Sequence, residues 1–412
     1  MFFLYGFNIC NGIFLNLGQT PNAMRRLLLL MLVFHFSLTN AQQGDIHLIL
    51  KDAETLAPID DVTVTVLRTK QNHLSNAEGR VSFALTGVSS IQITHTQYET
   101  QTLRSTALKE KENVVLLKSM VNTLDEIIIT KQHPQKILKT LIENSVAKLT
   151  TPCRLKVYSR EFFKRNGNYV FYNDGLMNFQ ISGKNKDFKN AILVEQNRSI
   201  GLIDADVPND LLGYDLNNIM ENYYNFKYLE PLLEARAKKD YDFVIKSYTK
   251  NDNYYLMVVN ALDPVKGFKD DYSIIYDKKK KVIIEVSSSV TPNSVANAHE
   301  KTAVGARNMY KSNFKNSYRF NGEHEYYLLS SREEIGFERV DKKDIRTEIE
   351  VRNYFVTTNF SQNEFTFKES EVFKDKALFN LKDKILTDYW NVSGLLPTPE
   401  EETIIKSIAD EP

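Results

Sequence analysis

Between Leu124 and Leu149 the chain changes texture, and that change constrains its fold more than any single motif does. Before it, short runs of alternating apolar and polar residues follow one another. After it come longer, aromatic-rich runs. The stretch itself reads as a last strand, Leu124–Thr130, a turn through Lys131-Gln132-His133-Pro134, and a first helix carrying Ile137, Leu138, Leu141, Ile142, Val146 and Leu149 on one stripe. Pro134 suits the first turn of a helix, where its missing N–H costs nothing. The stripe predicts a helix packed on its own domain's sheet.

Upstream, Gly44–Lys118 is all-β in pattern. Ile46, Leu48 and Leu50 lie on one face, Val62, Val64 and Val66 form a period-two strand, and Val81, Phe83 and Leu85 another. Ile91 and Ile93 and then Val114–Leu117 follow, with turns at Glu54–Pro58 and Asn76–Gly79. About six or seven short strands at this spacing predict a small antiparallel sandwich.

Downstream, Arg154–Phe163 and Tyr169–Tyr172 flank Asn166-Gly167 as a hairpin. Strands are predicted at Leu176–Ile181, Ile192–Glu195, Tyr241–Tyr248, Tyr254–Asn260, Tyr272–Tyr276 and Lys281–Ser288, and further on through Ile345–Thr358. Helices are predicted at Leu216–Asn222, Leu229–Arg236, Leu378–Leu386 and Glu400–Ile408, with Thr398 or Thr403 capping the last. Strands do not alternate with helices, so the expectation is a large curved antiparallel sheet with a few helices, not a parallel α/β sheet.

The N-terminus reads as an address. Met24-Arg25-Arg26 is a positive segment, Leu27–Leu38 an apolar run too short to span a bilayer, and Thr39-Asn40-Ala41 a small-residue cleavage site. Residues 1–41 are therefore expected to be an upstream extension and signal peptide, with translation starting at Met24, and the mature chain is expected to lack a transmembrane helix. Lys+Arg and Asp+Glu balance at 52 each, which gives no electrostatic case for nucleic acid. With only Cys10 and Cys153, neither a disulfide scaffold nor a cysteine zinc site is expected.

Two sets of residues carry a resemblance. Gly44, Asp52, Thr55–Ile59, Val62–Val66, Asn76–Gly79 with Val81 and Phe83, and Tyr98-Glu99 resemble the carboxypeptidase-regulatory-like module of Bacteroidetes envelope proteins. Leu124–Thr130 resembles the segment that commonly follows it. Gln97 stands where that family usually has glycine. Ile137–Asn144, Tyr158–Glu161, Asn166–Val170, Tyr389–Asn391 and Leu396–Pro399 are similar to the uncharacterised C-terminal domain of such proteins. The resemblance implies a transthyretin-like antiparallel β-sandwich at 44–118, a connecting strand and linker at 119–133, and a larger α+β domain at 134–412. It also implies a periplasmic or outer-membrane location, and it brings no catalytic residues. Residues 134–412 are too few for a receptor plug and its large transporter barrel.

Catalytic motifs do not turn up. The seven histidines have no metal-ligand spacing, and neither Gly-x-Ser-x-Gly nor a P-loop is present. Asp204, Asp206 and Asp210 lack the glycine and glutamate that a calcium loop needs. No catalytic residue, cofactor or metal is expected, and Cys153 reads as an idle thiol. Two features stand out. Arg160 and Glu161 point to opposite faces of one strand, so one of them faces inward and requires a partner, read as a buried ion pair fixing strand register, with a binding role as the alternative. Trp390 is expected to clamp the tail onto the sheet. The functional expectation is a non-catalytic exported binding protein whose partner is an unknown envelope protein or an apolar ligand. The alternative is a hydrolase acting on peptide or glycan.

Overall fold

The computed structural model describes residues 44–109, 111–121, 126–201, 215–250, 253–262, 268–291, 294, 299–302, 305–322, 324–363, 366–385 and 394–410. The leader, the Asp204–Asp210 run and Trp390 lie outside them. Residues 45–83 and 89–412 belong to one compact unit, and residues 1–44 and 84–88 to another.

The front region holds β1 (Gly44–Asp52), β2 (Thr63–Val66), β3 (Gln71–Leu74), β4 (Arg80–Leu85), β5 (Ser90–His95), β6 (Tyr98–Arg104) and β7 (Glu112–Leu117). They form a three-stranded sheet, β4-β1-β7, and a run β3-β2-β5-β6 that continues the large sheet of the following region through the pair Gln71–Asn359. One pairing departs from the antiparallel expectation: β1 and β7 run parallel, His47 opposite Glu112 through Asp52 opposite Leu117. Side-chain alternation is the same in both strand directions, so the sequence pattern cannot distinguish them.

β2 is buried on both faces, its Val64 and Val66 at 0% and 2% exposure and its Thr63 and Thr65 at 3% and 4%. The valine face meets the sandwich core. The threonine face is covered too: Thr65 Oγ1 donates to Asn72 Oδ1 at 2.9 Å and accepts from Arg319 Nη1 at 2.6 Å. A polar face in a strand pattern thus marks a covered polar contact here, not solvent.

The larger region begins with α1 (Pro134–Lys148), β8 (Cys153–Arg165), β9 (Asn168–Ser182) and β10 (Lys189–Gly201), followed by α2 (Leu216–Tyr224), α3 (Glu230–Leu233) and α4 (Ala237–Asp240). It continues with β11 (Tyr241–Ser247), β12 (Tyr254–Ala261), β13 (Asp270–Asp277), β14 (Val282–Val290), β15 (His299–Thr302), β16 (Gly305–Asn321), β17 (Glu325–Asp341) and β18 (Arg346–Ser361), and ends in α5 (Pro399–Asp410). Its antiparallel order is β11-β12-β13-β14-β16-β17-β18-β8-β9-β10, a curved half-barrel sheet. Asn166 (φ 48°) and Gly167 (φ 84°) turn β8 into β9, both in the left-handed region that a two-residue hairpin favours.

α1 starts as its sequence predicts, with Pro134 in the first turn and His133 Nδ1 accepting from Gln135 N at 3.2 Å. Leu138, Leu141, Ile142 and Val146 join the main core with Val282, Ile283, Tyr326 and the α2 residues Ile219, Met220 and Tyr223. Ser145, fully buried in this helix, accepts from Ile283 N at 2.9 Å while donating to the Leu141 carbonyl at 2.6 Å. Ser145→Ala orphans that buried strand N–H, and chemical denaturation is expected to record a loss of about 1–3 kcal/mol. A change within a few tenths would mean that water reaches Ile283 N.

The helix predicted at Leu378–Leu386 is, in its described part, a single 3₁₀ turn at Leu378–Asn380. Lys384 then pairs in extended form with Asn197 of β10, N–H to carbonyl in both directions at 2.9 and 3.0 Å. Pairing with the open edge of β10 outweighs the weak helical pattern. The last helix does form, and Thr398 caps it reciprocally: Glu401 N donates to Thr398 Oγ1 at 3.2 Å and Thr398 N to Glu401 Oε2 at 3.0 Å.

Candidate functional site

Arg160 and Glu161 lie on opposite faces of β8, as strand alternation requires. Arg160 is 2% exposed. Its Nη1 lies 3.1 Å from Glu401 Oε2 of α5, Nε and Nη2 donate to Tyr158 Oη at 3.3 and 3.2 Å, and Nη2 also donates to the Leu395 carbonyl. The ion pair therefore joins the sheet to the C-terminal segment, not strand to strand. Gly394 comes next to these contacts at φ +86°, where a Cβ would lie 2.6 Å from the Tyr158 ring. Ile404 and Ile408 complete the attachment against Phe162 and Tyr172. Asp174, wholly buried, accepts from Tyr158 and Tyr172 hydroxyls and from Arg198 at 2.6–3.1 Å. All three guanidinium nitrogens of Arg160 are thus engaged by Glu401, Tyr158 and the Leu395 carbonyl, which anchors the C-terminal segment to β8.

Glu161 has a different environment. In register across three strands, Glu161 stands opposite Asn353, which stands opposite Glu333. Glu161 Oε1 and Asn353 Oδ1 are buried without a hydrogen-bond partner. Burial, with the neighbouring Glu333 carboxylate adding to it, pushes the Glu161 carboxyl up to about 7. Burial likewise raises Glu333 to about 7. The Cys153 thiol, buried 3.7 Å from the Tyr224 hydroxyl, is pushed up to about 12 by desolvation and is a poor nucleophile. Among the described residues no group of three His, Cys, Asp or Glu side chains is placed to hold a metal.

A cavity of about 380 Å³ lies elsewhere. β14 and β16 pair from Glu285–Ser317 through Ser289–Asn313 and no further. Just past the Glu285–Ser317 pair, Ile284 on one strand and Tyr318, Arg319 and Phe320 on the other line the cavity, together with Leu329 and Tyr254. The sandwich supplies the remaining wall with Thr63, Gln92, Thr94, His95 and Tyr98. One wall is thus mainly aromatic and aliphatic, the other mainly hydroxyl and amide.

The charges around the cavity fall into two groups. Lys315 Nζ is 2.9 Å from Asp61 and 3.7 Å from Glu285, one cation held between two carboxylates, of which burial raises the Glu285 carboxyl above its ordinary value. His95, desolvated and beside Lys315, is held down to about 4 and stays neutral. Asp277 Oδ1 accepts from the turn amides of Lys279 and Lys280 at 2.8 and 2.7 Å. Arg319 has only neutral acceptors: Thr65 Oγ1, Asn72 Oδ1 at 3.4 Å and Gln92 Oε1 at 3.0 Å. Desolvation lowers its pKa, the expected response of a cation with no counter-charge beside it.

No protein-family model and no curated protein matches the chain. Among solved structures, one match is a LolA superfamily protein from Nitrosomonas europaea, at 11% identity over 55% of this chain and 94% of that one, with a TM-score of 0.22. At that score the likeness carries no functional argument. The cavity's residues were not singled out from sequence. Thr63, Gln92 and Thr94 occupy the polar positions of alternating strands, and Arg319 is one cation within the 17-residue β16. No local pattern marks them, because they are brought together by the docking of sandwich on sheet.

Proposed function

We propose that the chain is a non-catalytic binding protein of the cell envelope, exported by its N-terminal segment, in which a carboxypeptidase-regulatory-like sandwich helps to enclose the ligand site of a larger β domain. The observation carrying this reading is the cavity at the β14–β16 split. Its volume of about 380 Å³ falls within the usual small-molecule range of about 300–1,000 Å³. Its apolar wall of Ile284, Phe320 and Leu329 suits a hydrocarbon chain, and the threonine and glutamine wall suits a polar end. That argues for an apolar ligand with a polar head over a wholly apolar one.

Native mass spectrometry of the full chain, isolated gently from its own envelope, tests this. The expected result is a non-protein adduct that disappears in Thr94→Trp, where an indole occupies the cavity. A bare mass for the unaltered chain would overturn the reading. The hydrolase reading draws on the carboxyl pair Glu161 and Glu333, since perturbed carboxyls cluster at active sites. Neither residue lines the cavity, and the binding reading is preferred.

A further inference from the structure

We infer that the ligand of this cavity carries an anionic group, a carboxylate or a phosphate, received by Arg319 and Lys280. The inference rests on the binding reading above and goes further by naming the chemistry of the ligand's head. Both cations line the cavity, and neither has a carboxylate within ion-pair distance among the described residues. Lys280 Nζ sits 3.6 Å over the centre of the Phe320 ring, which orients the ammonium without neutralising it.

The geometry of Arg319 strengthens the case. A guanidinium has five N–H donors. Nη1 spends two on Thr65 and Asn72, and Nη2 spends one on Gln92. The Nε–H and one Nη2–H remain, two donors of a planar fork suited to a carboxylate or phosphate. The three neutral oxygens come from β2, β3 and β5, so the sandwich holds the fork in place. The other charged groups are engaged elsewhere: Lys315 is held by Asp61 and Glu285 and is not free for a ligand, and the Asp277 carboxylate accepts from the amides of its own turn. Leaving a partly desolvated cation uncompensated is costly, and an incoming anion recovers that cost.

The test compares three ligands with one tail: decanoate, its neutral isostere decanamide, and decyl phosphate, each titrated calorimetrically into the full chain. Decanoate or decyl phosphate is expected to bind at least about 10-fold more tightly than decanamide, the discrimination of one good charge-assisted contact. Whichever anion binds more tightly identifies the head group. Arg319→Gln is expected to abolish the preference, bringing decanoate and decyl phosphate to within about 2-fold of decanamide. Lys280→Gln, on an exposed turn and safe for folding, is expected to reduce the preference in part. Equal affinity for decanoate, decyl phosphate and decanamide in the unaltered chain would overturn the anion inference alone. Binding of none of the three would overturn the binding reading and this inference with it.

Discussion

Replacing Arg160 with Met will destabilise the folded chain by about 3–5 kcal/mol, the usual cost of breaking a buried ion pair from one side. The expected effect is large because Glu401, 5% exposed, loses its nearest cation. Arg352 Nη1, 3.6 Å from Glu401 Oε1, compensates only in part. The loss should also be local. Arg160 binds the tail at two points, Glu401 and the Leu395 carbonyl, so amide hydrogen exchange across residues 394–410 should accelerate before the rest of the sheet opens. Glu401→Gln with Arg160→Met completes a double-mutant cycle, and a coupling of at least about 1 kcal/mol is expected for groups in direct contact. A coupling near zero, or a tail that exchanges no faster, would show that Ile404 and Ile408 alone hold the C-terminal segment.

The second large effect is on pH dependence. Glu161 and Glu333 have ordinary values of 4.5 and are raised to about 7 in the folded chain. A folded chain that holds a proton where the unfolded chain has lost it gains stability from that proton. For Glu161 the gain is fully present below pH 4.5, where both states are protonated and the carboxyl is neutral in its buried site. It is lost as pH rises through 7. Glu161→Gln, neutral at every pH, should therefore match the unaltered chain near pH 4.5 and exceed it above pH 7. Each tenfold change in proton affinity between the folded and unfolded chain is worth about 1.4 kcal/mol, so the difference approaches about 3 kcal/mol.

His73 and His95 act in the opposite direction. Both are depressed to about 4, so their contribution is present above 6.5 and lost as pH falls through 4. They are common to both chains and cancel in the difference. Unfolding by urea at pH 5, 6, 7 and 8 reads that difference directly. A flat difference would mean that Glu161 keeps an ordinary carboxylate pKa and has a partner in solution.

Which features were legible in the sequence follows from how far their causes reach. Pro134, the Asn166-Gly167 turn and the Thr398–Glu401 cap depend on the backbone angles and hydrogen bonds of a few adjacent residues, so local pattern was sufficient to place them. The curved antiparallel sheet was legible for a similar reason, since period-two runs separated by turns seldom form anything else. The opposite orientation of Arg160 and Glu161 follows from strand geometry alone. Their partners do not. Glu401 is 241 residues from Arg160, and Thr65 is 254 from Arg319. A one-residue slip of register would reverse every face, so no short-range signal ties those charges to one another.

The strands, the first and last helices, and the two textures of the chain follow from residue order, because sterics and periodicity act between near neighbours. Packing settled that β1 pairs with β7 in parallel and that Leu378–Asn380 is a turn, the chain beyond it lying along β10. It also settled that the threonine face of β2 is covered, and that β14 and β16 separate at Glu285–Ser317 to leave a cavity with Arg319 on its wall. Each of these depends on which surfaces meet when distant segments come together. Burial, not local propensity, sets the cost of leaving a charge or a hydrogen-bonding group unmatched there.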